Sequence, residues 1–218
     1  LILAVCATAL GAFVGLGLGA LAAGRRGTLL DGLALMISTA SIALPTFWVG
    51  LMLMLLFASR LGWLPVSGYG EGGTFFGLPL PGPTHLVLPT VTLAVFSCGY
   101  LARVTRASLI EESSQDYVRA ARARGASAAS VLLRHVMANS MLPIVTLIGL
   151  NFAQLMGGAI ATETVFNWPG LGLIMMSALR SRDLPVVEGG AIVLTAGFLV
   201  VNLAVDVSYA LLDPRVRD

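Results

Sequence analysis

Asp-Tyr-Val-Arg-Ala-Ala-Arg-Ala-Arg-Gly, residues 116–125, opens the longest polar interruption in an otherwise apolar chain of 218 residues. The stretch predicts a short helix with one small and partly apolar side, because four residues recur at helical spacing: Tyr117, Ala120, Ala121 and Arg124. Gly125 is expected to end or bend this helix, since glycine tolerates the left-handed backbone found at helix ends. A short helix of this kind between two membrane spans is suited to docking into a groove on another protein.

The composition around this stretch is that of a membrane protein. Hydrophobic residues make up 57% of the chain and charged residues 11%, and the mean hydropathy is +0.90. A soluble domain carries about 25% charged residues, so most of this surface must face something other than water. The net charge of +2 is small, and we expect no binding of nucleic acid. Cys6 and Cys98 lie in apolar runs and are expected to be buried and free.

Five uncharged or nearly uncharged stretches are long enough to cross a membrane, which takes about 20 residues. They are residues 1–24, 32–59, 86–102, 141–162 and 189–212. The third is expected to extend past Leu109, and Pro45 should kink or break the second. Residues 60–85 contain too many glycines and prolines for a helix and predict a loop. Residues 171–179 are too short to cross and favour a re-entrant or interfacial helix.

Glycines Gly11, Gly15 and Gly19 fall four residues apart on one face of the first predicted span. Small residues at this spacing allow a second helix to approach closely in a membrane. We therefore expect another span to pack against this face.

The thirteen basic residues are all arginine, and their placement predicts the orientation. With five spans, only three lie on the side away from 116–125: Arg60, Arg180 and Arg182. The other ten lie on its side: Arg25, Arg26, Arg103, Arg106, Arg119, Arg122, Arg124, Arg134, Arg215 and Arg217. Cytoplasmic loops are enriched in arginine, so the stretch is placed in the cytoplasm. Residue 1 then starts outside, and we expect an earlier span in the uncut protein.

Three positions are candidates for lining a translocation path. Pro45 interrupts a span, and non-helical backbone at that depth survives only against protein or a wet cavity. Asn151 and Gln154 are polar amides inside a span, where hydrogen bonding between helices is the alternative to contact with a path. Asp206 is the carboxylate within a predicted span, one to two turns from its cytoplasmic end.

The sequence shows no catalytic or metal-binding pattern. It contains no lysine, so a phosphate-binding loop of the Gly-Lys-Ser/Thr type is excluded. It also lacks a His-Glu-x-x-His helix, paired cysteines at metal spacing and a Gly-x-Ser-x-Gly elbow. His135, beside Arg134 at the mouth of a span, is interpreted as an interfacial packing residue. We expect a chain that is not an enzyme, with no catalytic residue and no metal ligand.

Several segments in the right order resemble a known family. The pattern Arg-Ala-Ala-x-x-x-Gly at 119–125 resembles the Glu-Ala-Ala-x-x-x-Gly loop, the EAA motif, of ABC-importer permeases. The segments that are similar to the dipeptide, oligopeptide and nickel branch of that family are 61–69, 114–125, 133–135 with 141–143, 163–172 and 210–215. They point to the first of the two permeases in such systems. Arg119 stands where the general motif has Glu, and Ala138 where it has Pro.

This resemblance implies an all-α polytopic membrane protein. Residues 1–218 would form the transmembrane domain of a type I ABC importer, with five spans and one cytoplasmic coupling helix; the family's first span and the segment after it are missing. The chain would sit in the cytoplasmic (inner) membrane of a bacterium or archaeon. The coupling residues would be Asp116, Tyr117, Val118, Arg119, Ala120, Ala121, Arg122, Ala123, Arg124 and Gly125.

The resemblance also implies the partners. They are a sister permease, two ATPase subunits below, an external substrate-binding protein and the lipid bilayer. ATP and magnesium would bind to the ATPase subunits, and this chain would hold no cofactor. Peptides are the expected cargo, although similar permeases carry nickel, glutathione or heme. The alternatives from other classes are a secondary transporter driven by an ion gradient, which would need intramembrane carboxylates, and a membrane scaffold.

Overall fold

The chain folds into a bundle of helices, seen in a computed structural model. It describes residues 1–75, 78–132 and 136–212, without the side chains of residues 75, 78, 79, 128, 129, 142, 158, 206 and 208–212. In these residues the helices are α1 (Ile2–Gly24), α2 (Leu29–Ala43), α3 (Thr46–Leu53), α4 (Pro83–Ser113), α5 (Asp116–Ala123), α6 (Ala128–Val131), α7 (Met137–Gly158), α8 (Ile160–Val165), α9 (Leu171–Ser181) and α10 (Leu184–Leu212). A π-helical segment, Met54–Arg60, continues α3. A small antiparallel hairpin pairs β1 (Thr74–Phe75) with β2 (Leu78–Pro79).

Helices α1 and α4 make the most extensive contact between any two of the described helices. A Cβ placed on Gly15 would lie 2.8 Å from the carbonyl oxygen of Cys98, and one on Gly19 would lie 2.6 Å from that of Ala102. A Cβ on Gly11 would likewise lie 2.5 Å from a side-chain carbon of α4. The contacts advance along both helices in the same direction, so α1 and α4 run parallel. The predicted close approach at the three glycines is confirmed, and α4 is the helix that makes it.

The parallel course gathers the arginines at one end of the bundle. Arg25 follows α1, and Arg103 and Arg106 lie in the last turns of α4, directly before α5. We call this the basic end. The loop that precedes α4, described at residues 61–75 and 78–82, lies at the opposite end. This arrangement agrees with the orientation that the arginine distribution predicts.

Four helices are long and apolar enough to cross a membrane by length and composition: Ile2–Gly24, Pro83–Ser113, Met137–Gly157 and Leu184–Val205. They correspond to four of the five predicted spans, and α4 extends past Leu109 as expected. The chain is thus a multi-pass membrane protein. Cys6 in α1 and Cys98 in α4 are free cysteines.

The second predicted span is divided at Pro45. Leu44 and Pro45 have extended backbones, because proline cannot donate the helical hydrogen bond and disfavours helix in the residue before it. The two halves, Leu29–Ala43 and Thr46–Arg60, meet at an angle of 102°. The predicted break is confirmed. The bent pair makes a fifth span only if its two halves cross the membrane together.

A junction at the opposite end joins the loop to the helices that follow α7. The backbone N–H of Gly68 donates to the carbonyl of Phe166 over 2.9 Å, and the rings of Tyr69 and Trp168 lie 4.9 Å apart. Phe166 is fully buried and packs against Leu88 of α4. These contacts fix the predicted loop on the body of the bundle.

Helix α9, Leu171–Ser181, is the short helix predicted at residues 171–179. The Glu163 carboxylate accepts hydrogen bonds from the backbone N–H groups of Gly172 and Leu173, the latter over 3.1 Å, and so caps its N-terminus. Burial raises the pKa of Glu163, and these two N–H groups act in the opposite direction. With 11 residues, α9 is too short to cross a membrane.

Gly15→Ala should weaken the contact between α1 and α4. The new methyl group would press on the Cys98 carbonyl, and overpacking of this kind costs about 1–3 kcal/mol. Gly17→Ala is the matched control, because a Cβ at Gly17 meets nothing within 4 Å. The measurement is the thermal unfolding midpoint of the full-length protein in detergent. A midpoint lowered equally by both substitutions would contradict this account of the packing.

Candidate functional site

The predicted short helix exists as α5, Asp116–Ala123, at the basic end. Only Ser114 and Gln115 separate it from α4, and the extended backbone of Gln115 starts the new helix in a different direction. Asp116 in the first turn and Arg122 in the last turn suit the partial charges at the helix ends. The helix is therefore well defined by its own sequence.

Gly125 ends α5 in the manner the sequence predicts. Its φ is +86°, a left-handed backbone that glycine adopts without strain. Its N–H donates to the carbonyl of Arg122 over 3.0 Å, and the N–H of Ala126 donates to that of Ala121 over 3.2 Å. This pair of bonds is the Schellman motif, and it satisfies carbonyls at the helix end.

One face of α5 is buried against its own chain. Val118 and Ala121 are 0% and 3% exposed. They pack in a cluster with buried residues of α4, of α6 and just before α7. Partly buried residues of α1, of the turn after α5 and of α7 complete the cluster. Its other members are Leu109, Val131, Val136, Ala20, Ala23, Ala126 and Met137. The apolar contact holds α5 on the ends of the long helices.

This burial changes the expected face of α5. The sequence groups Ala121 with Tyr117, Ala120 and Arg124 on one docking side, but the structure turns Ala121 inward beside Val118. The physical reason is that the valine, the largest aliphatic side chain of the helix, decides which side faces the bundle. Val118 and Ala121 thus hold α5 against the bundle, on the side opposite its exposed face.

The outer face of α5 is basic and has small side chains. The residues on it are exposed: Asp116, Arg119, Ala120, Arg122, Ala123 and Arg124. Arg119 lies 3.4 Å from the Asp116 carboxylate, and both side chains are largely exposed, so this pair contributes little to stability. The arginine charges remain available to a partner, and the alanines between them allow a close approach.

Tyr117 ties α5 to two long helices. Its hydroxyl donates to the Oε1 of Glu112 at the end of α4, and it accepts a hydrogen bond of 2.8 Å from the Nδ2 of Asn139 in α7. Burial, and after it the bond to Glu112, raise the pKa of Tyr117, so the phenol stays protonated and can donate. The sequence places Glu112 near Tyr117 along the chain, but it carries no signal for Asn139, which is 22 residues away.

The three candidates for a translocation path occupy different surroundings. Pro45 is exposed at the break between α2 and α3. Gln154 is exposed on α7, whereas Asn151 is only 1% exposed and lies inside the chain's own bundle. The Asn151 amide has no hydrogen-bond partner among the described residues. The path role of all three stays a prediction.

Some residues of the sequence analysis are outside what the structure describes. They are Arg134, His135 and residues 213–218, together with the side chain of Asp206. Within the described residues, no group of three His, Cys, Asp or Glu side chains could hold a metal ion.

Comparison with known proteins identifies the family to which the chain belongs. Residues 15–218 match the family described as binding-protein-dependent transport system inner membrane component. The chain belongs to this family, the permeases of ABC importers. Permeases of this class work with ATPase subunits and with a substrate-binding protein.

Named relatives and solved structures agree with this assignment. The chain is 40% identical over 215 residues to the "probable peptide ABC transporter permease protein" of Sinorhizobium fredii, with 99% of this chain and 68% of the relative covered. It is 36% identical over 239 residues to the dipeptide transport system permease protein DppB of Escherichia coli, covering 99% and 69%.

The fold is that of a solved type I importer permease. An inward-facing structure of the MetNI methionine ABC transporter matches with a TM-score of 0.78 at 17% identity, covering 97% of this chain and 92% of that chain. An amino acid ABC transporter crystallised with histidines matches with a TM-score of 0.66 at 18% identity, covering 98% and 88%. At these identities the likeness concerns the fold alone. The predicted fold class, all-α with a type I importer architecture, is confirmed.

Gly125→Ala should loosen the end of α5. Open space surrounds the position, so the cost comes from the left-handed backbone and is about 1–2 kcal/mol. Gly24→Ala is the control, because it is also unobstructed and has no left-handed backbone. We expect faster amide hydrogen exchange in residues 116–126 for Gly125→Ala only. Equal exchange in both variants would show that the helix end does not depend on the glycine.

Proposed function

We propose that this chain is a transmembrane permease subunit of an ATP-driven importer for dipeptides and oligopeptides. It pairs with a sister permease in the cytoplasmic membrane of a bacterium or archaeon. Two ATPase subunits dock on the cytoplasmic side, and an external binding protein delivers the peptide. ATP and magnesium bind to the ATPase subunits, while this chain contributes half of the translocation path and is not itself an enzyme.

The observation that carries the proposal is the position of α5. Its buried face holds it on α4, α6 and α7, and its outer face presents Arg119, Arg122 and Arg124 beside small alanines. A partner groove with acidic residues fits this surface, because opposite charges across an interface favour the correct partner and orientation. In this role α5 is the coupling helix of the chain.

The mechanism follows from the connections of α5. When ATP binding closes the two ATPase subunits, the coupling helices of the two permeases are drawn together. Because Val118 is buried among the ends of α4, α6 and α7, the displacement of α5 passes to those helices as a rigid contact. The long helices tilt, the path opens outward, and release of the nucleotide products restores the inward state.

The names of the relatives support the peptide cargo. Both the Sinorhizobium fredii and the Escherichia coli relatives are named for peptide or dipeptide transport. Uptake by the complete reconstituted transporter should therefore be measured with a labelled dipeptide in competition with a nickel chelate, glutathione and heme. Suppression of dipeptide uptake by a large excess of unlabelled dipeptide, but not by the other three, is the expected result. Absence of dipeptide uptake, or its suppression by one of the other three compounds, would contradict the peptide cargo.

Charge reversal on the outer face should weaken docking of the ATPase subunits. Arg124→Glu puts a negative charge on the docking surface, and we expect about tenfold weaker association, which corresponds to about 1.4 kcal/mol. The measurement is pull-down of the ATPase subunits by the tagged permease, together with ATP hydrolysis stimulated by the binding protein.

Arg180→Glu is the matched control for this experiment. Arg180 is also exposed, but it lies in the last turn of α9, which is remote from the basic end. Its reversal should leave ATPase association unchanged. If Arg124→Glu retains both association and stimulated hydrolysis at the level of the unaltered protein, α5 is not the coupling helix.

A further inference from the structure

A bidentate ion pair joins α2 to α4 near the basic end of the bundle. The Nε of Arg106 lies 2.5 Å from the Oδ1 of Asp31, and its Nη2 lies 2.8 Å from Oδ2. The backbone N–H of Gly27 donates to the same Oδ2 over 2.9 Å. The paired residues are 75 positions apart in the chain, so the contact fixes two distant segments.

The ion pair is well enclosed. Asp31 is only 4% exposed, and the side chain of Arg106 is 21% exposed. Two parallel hydrogen bonds between a guanidinium and a carboxylate fix both distance and orientation. Removing one member of such a pair leaves a charge without compensation, which is strongly destabilising, whereas the pair itself is weak evidence of stability. We therefore interpret the ion pair as a contact that positions α2 on α4.

Further contacts continue the attachment along α2. Arg103 donates to the Thr39 hydroxyl over 2.9 Å, about one turn from Arg106. A Cβ at Gly99 would lie 2.6 Å from the carbonyl oxygen of Ser38, so the two helices approach closely there as well. Three successive turns of α4 thus hold α2 in place.

Helix α3 is attached to a different part of α4 and to Phe166. A Cβ at Gly50 would lie 3.2 Å from the Phe166 ring and 3.3 Å from the Thr92 side chain, which belong to the junction and to the outer half of α4. The break at Pro45, with its angle of 102°, separates this attachment from that of α2. The bent pair is therefore anchored at two places: α2 on the last turns of α4, and α3 on the first half of α4 and on Phe166.

We propose that Asp31 and Arg106 are positioning residues that make α2 move together with the coupling helix α5, with Pro45 as the joint to α3. This rests on the proposed function of α5. Arg106 lies two turns before the end of α4, and α5 follows after two residues, so force applied to α5 reaches Arg106 through one continuous helix. The pair carries the same displacement sideways into α2.

The first experiment measures this motion in the unaltered complex. Spin labels are placed at exposed positions, on Leu33 of α2 and Ser114 after α4 for one pair, and on Phe47 of α3 and Ser114 for the other. Both pairs are measured in the full transporter with cysteine-free background, without nucleotide and with ATP trapped. We expect the 33–114 distance to stay constant and the 47–114 distance to change. An equal change in both pairs would overturn the proposal.

The second experiment breaks the ion pair. Asp31→Asn keeps the shape of the side chain and removes its charge, and Asp183→Asn is the control at an exposed aspartate. We expect Asp31→Asn to make the 33–114 distance respond to ATP and to raise the ATP hydrolysed per peptide imported at least about fivefold, within the range usual for coupling between sites. Asp183→Asn should change neither quantity.

A double variant that swaps the two charges, Asp31→Arg with Arg106→Asp, distinguishes a positioning role of the ion pair from a general loss of folding. Each single change should raise the ATP-to-peptide ratio, and the double variant should lower it again towards the unaltered value. A ratio that is normal in Asp31→Asn, with a constant 33–114 distance, overturns the proposal. Failure of the proposed function has a different signature, because the ATPase subunits would then not bind the unaltered permease at all.

Discussion

Close backbone contact between α1 and α4 is the constraint on which the rest of the structure depends. Glycines at Gly11, Gly15 and Gly19 bring the two helices together in parallel, and larger side chains would collide with the α4 backbone or with its Cβ atoms. The parallel course places the arginine-rich ends of both helices on one side. Helices α2, α3, α7 and α8 then all pack on α4, which becomes the common support. In a membrane, where packing drives association between helices, small residues are an effective means of specifying such a pair.

The site at the basic end follows from this support. Helix α5 begins two residues after α4 and is held by an apolar face, by the Schellman motif at Gly125 and by the bonds of Tyr117. Its other face remains basic and open. The family assignment implies partners with ATPase activity, and the proposed docking surface is this basic face. Fold, charge and family therefore support the same role.

The sequence was sufficient for four of the five predicted spans, the glycine face, the break at Pro45 and the left-handed end at Gly125. Each of these depends on local properties, namely hydropathy, residue size and backbone freedom. The inward turn of Ala121, the partner of Tyr117 in α7 and the pairing of Asp31 with Arg106 were not predicted. These depend on which helices become neighbours, and residues 22 to 75 positions apart leave no periodic signal in a single chain. The angle of 102° at Pro45 is likewise set by the separate packing of α2 and α3.

The length of α4 has a consequence for where partners can reach the protein. With 31 residues and a rise of about 1.5 Å per residue, this helix is about 46 Å long. The hydrocarbon core of a bilayer is about 30 Å thick, so about 16 Å of the helix extends beyond it. Arg103 and Arg106 lie in the last three turns of α4, and α5 follows its end. Because Val118 and Ala121 seat α5 on the ends of the long helices, the basic face of α5 is left open at this end of the bundle.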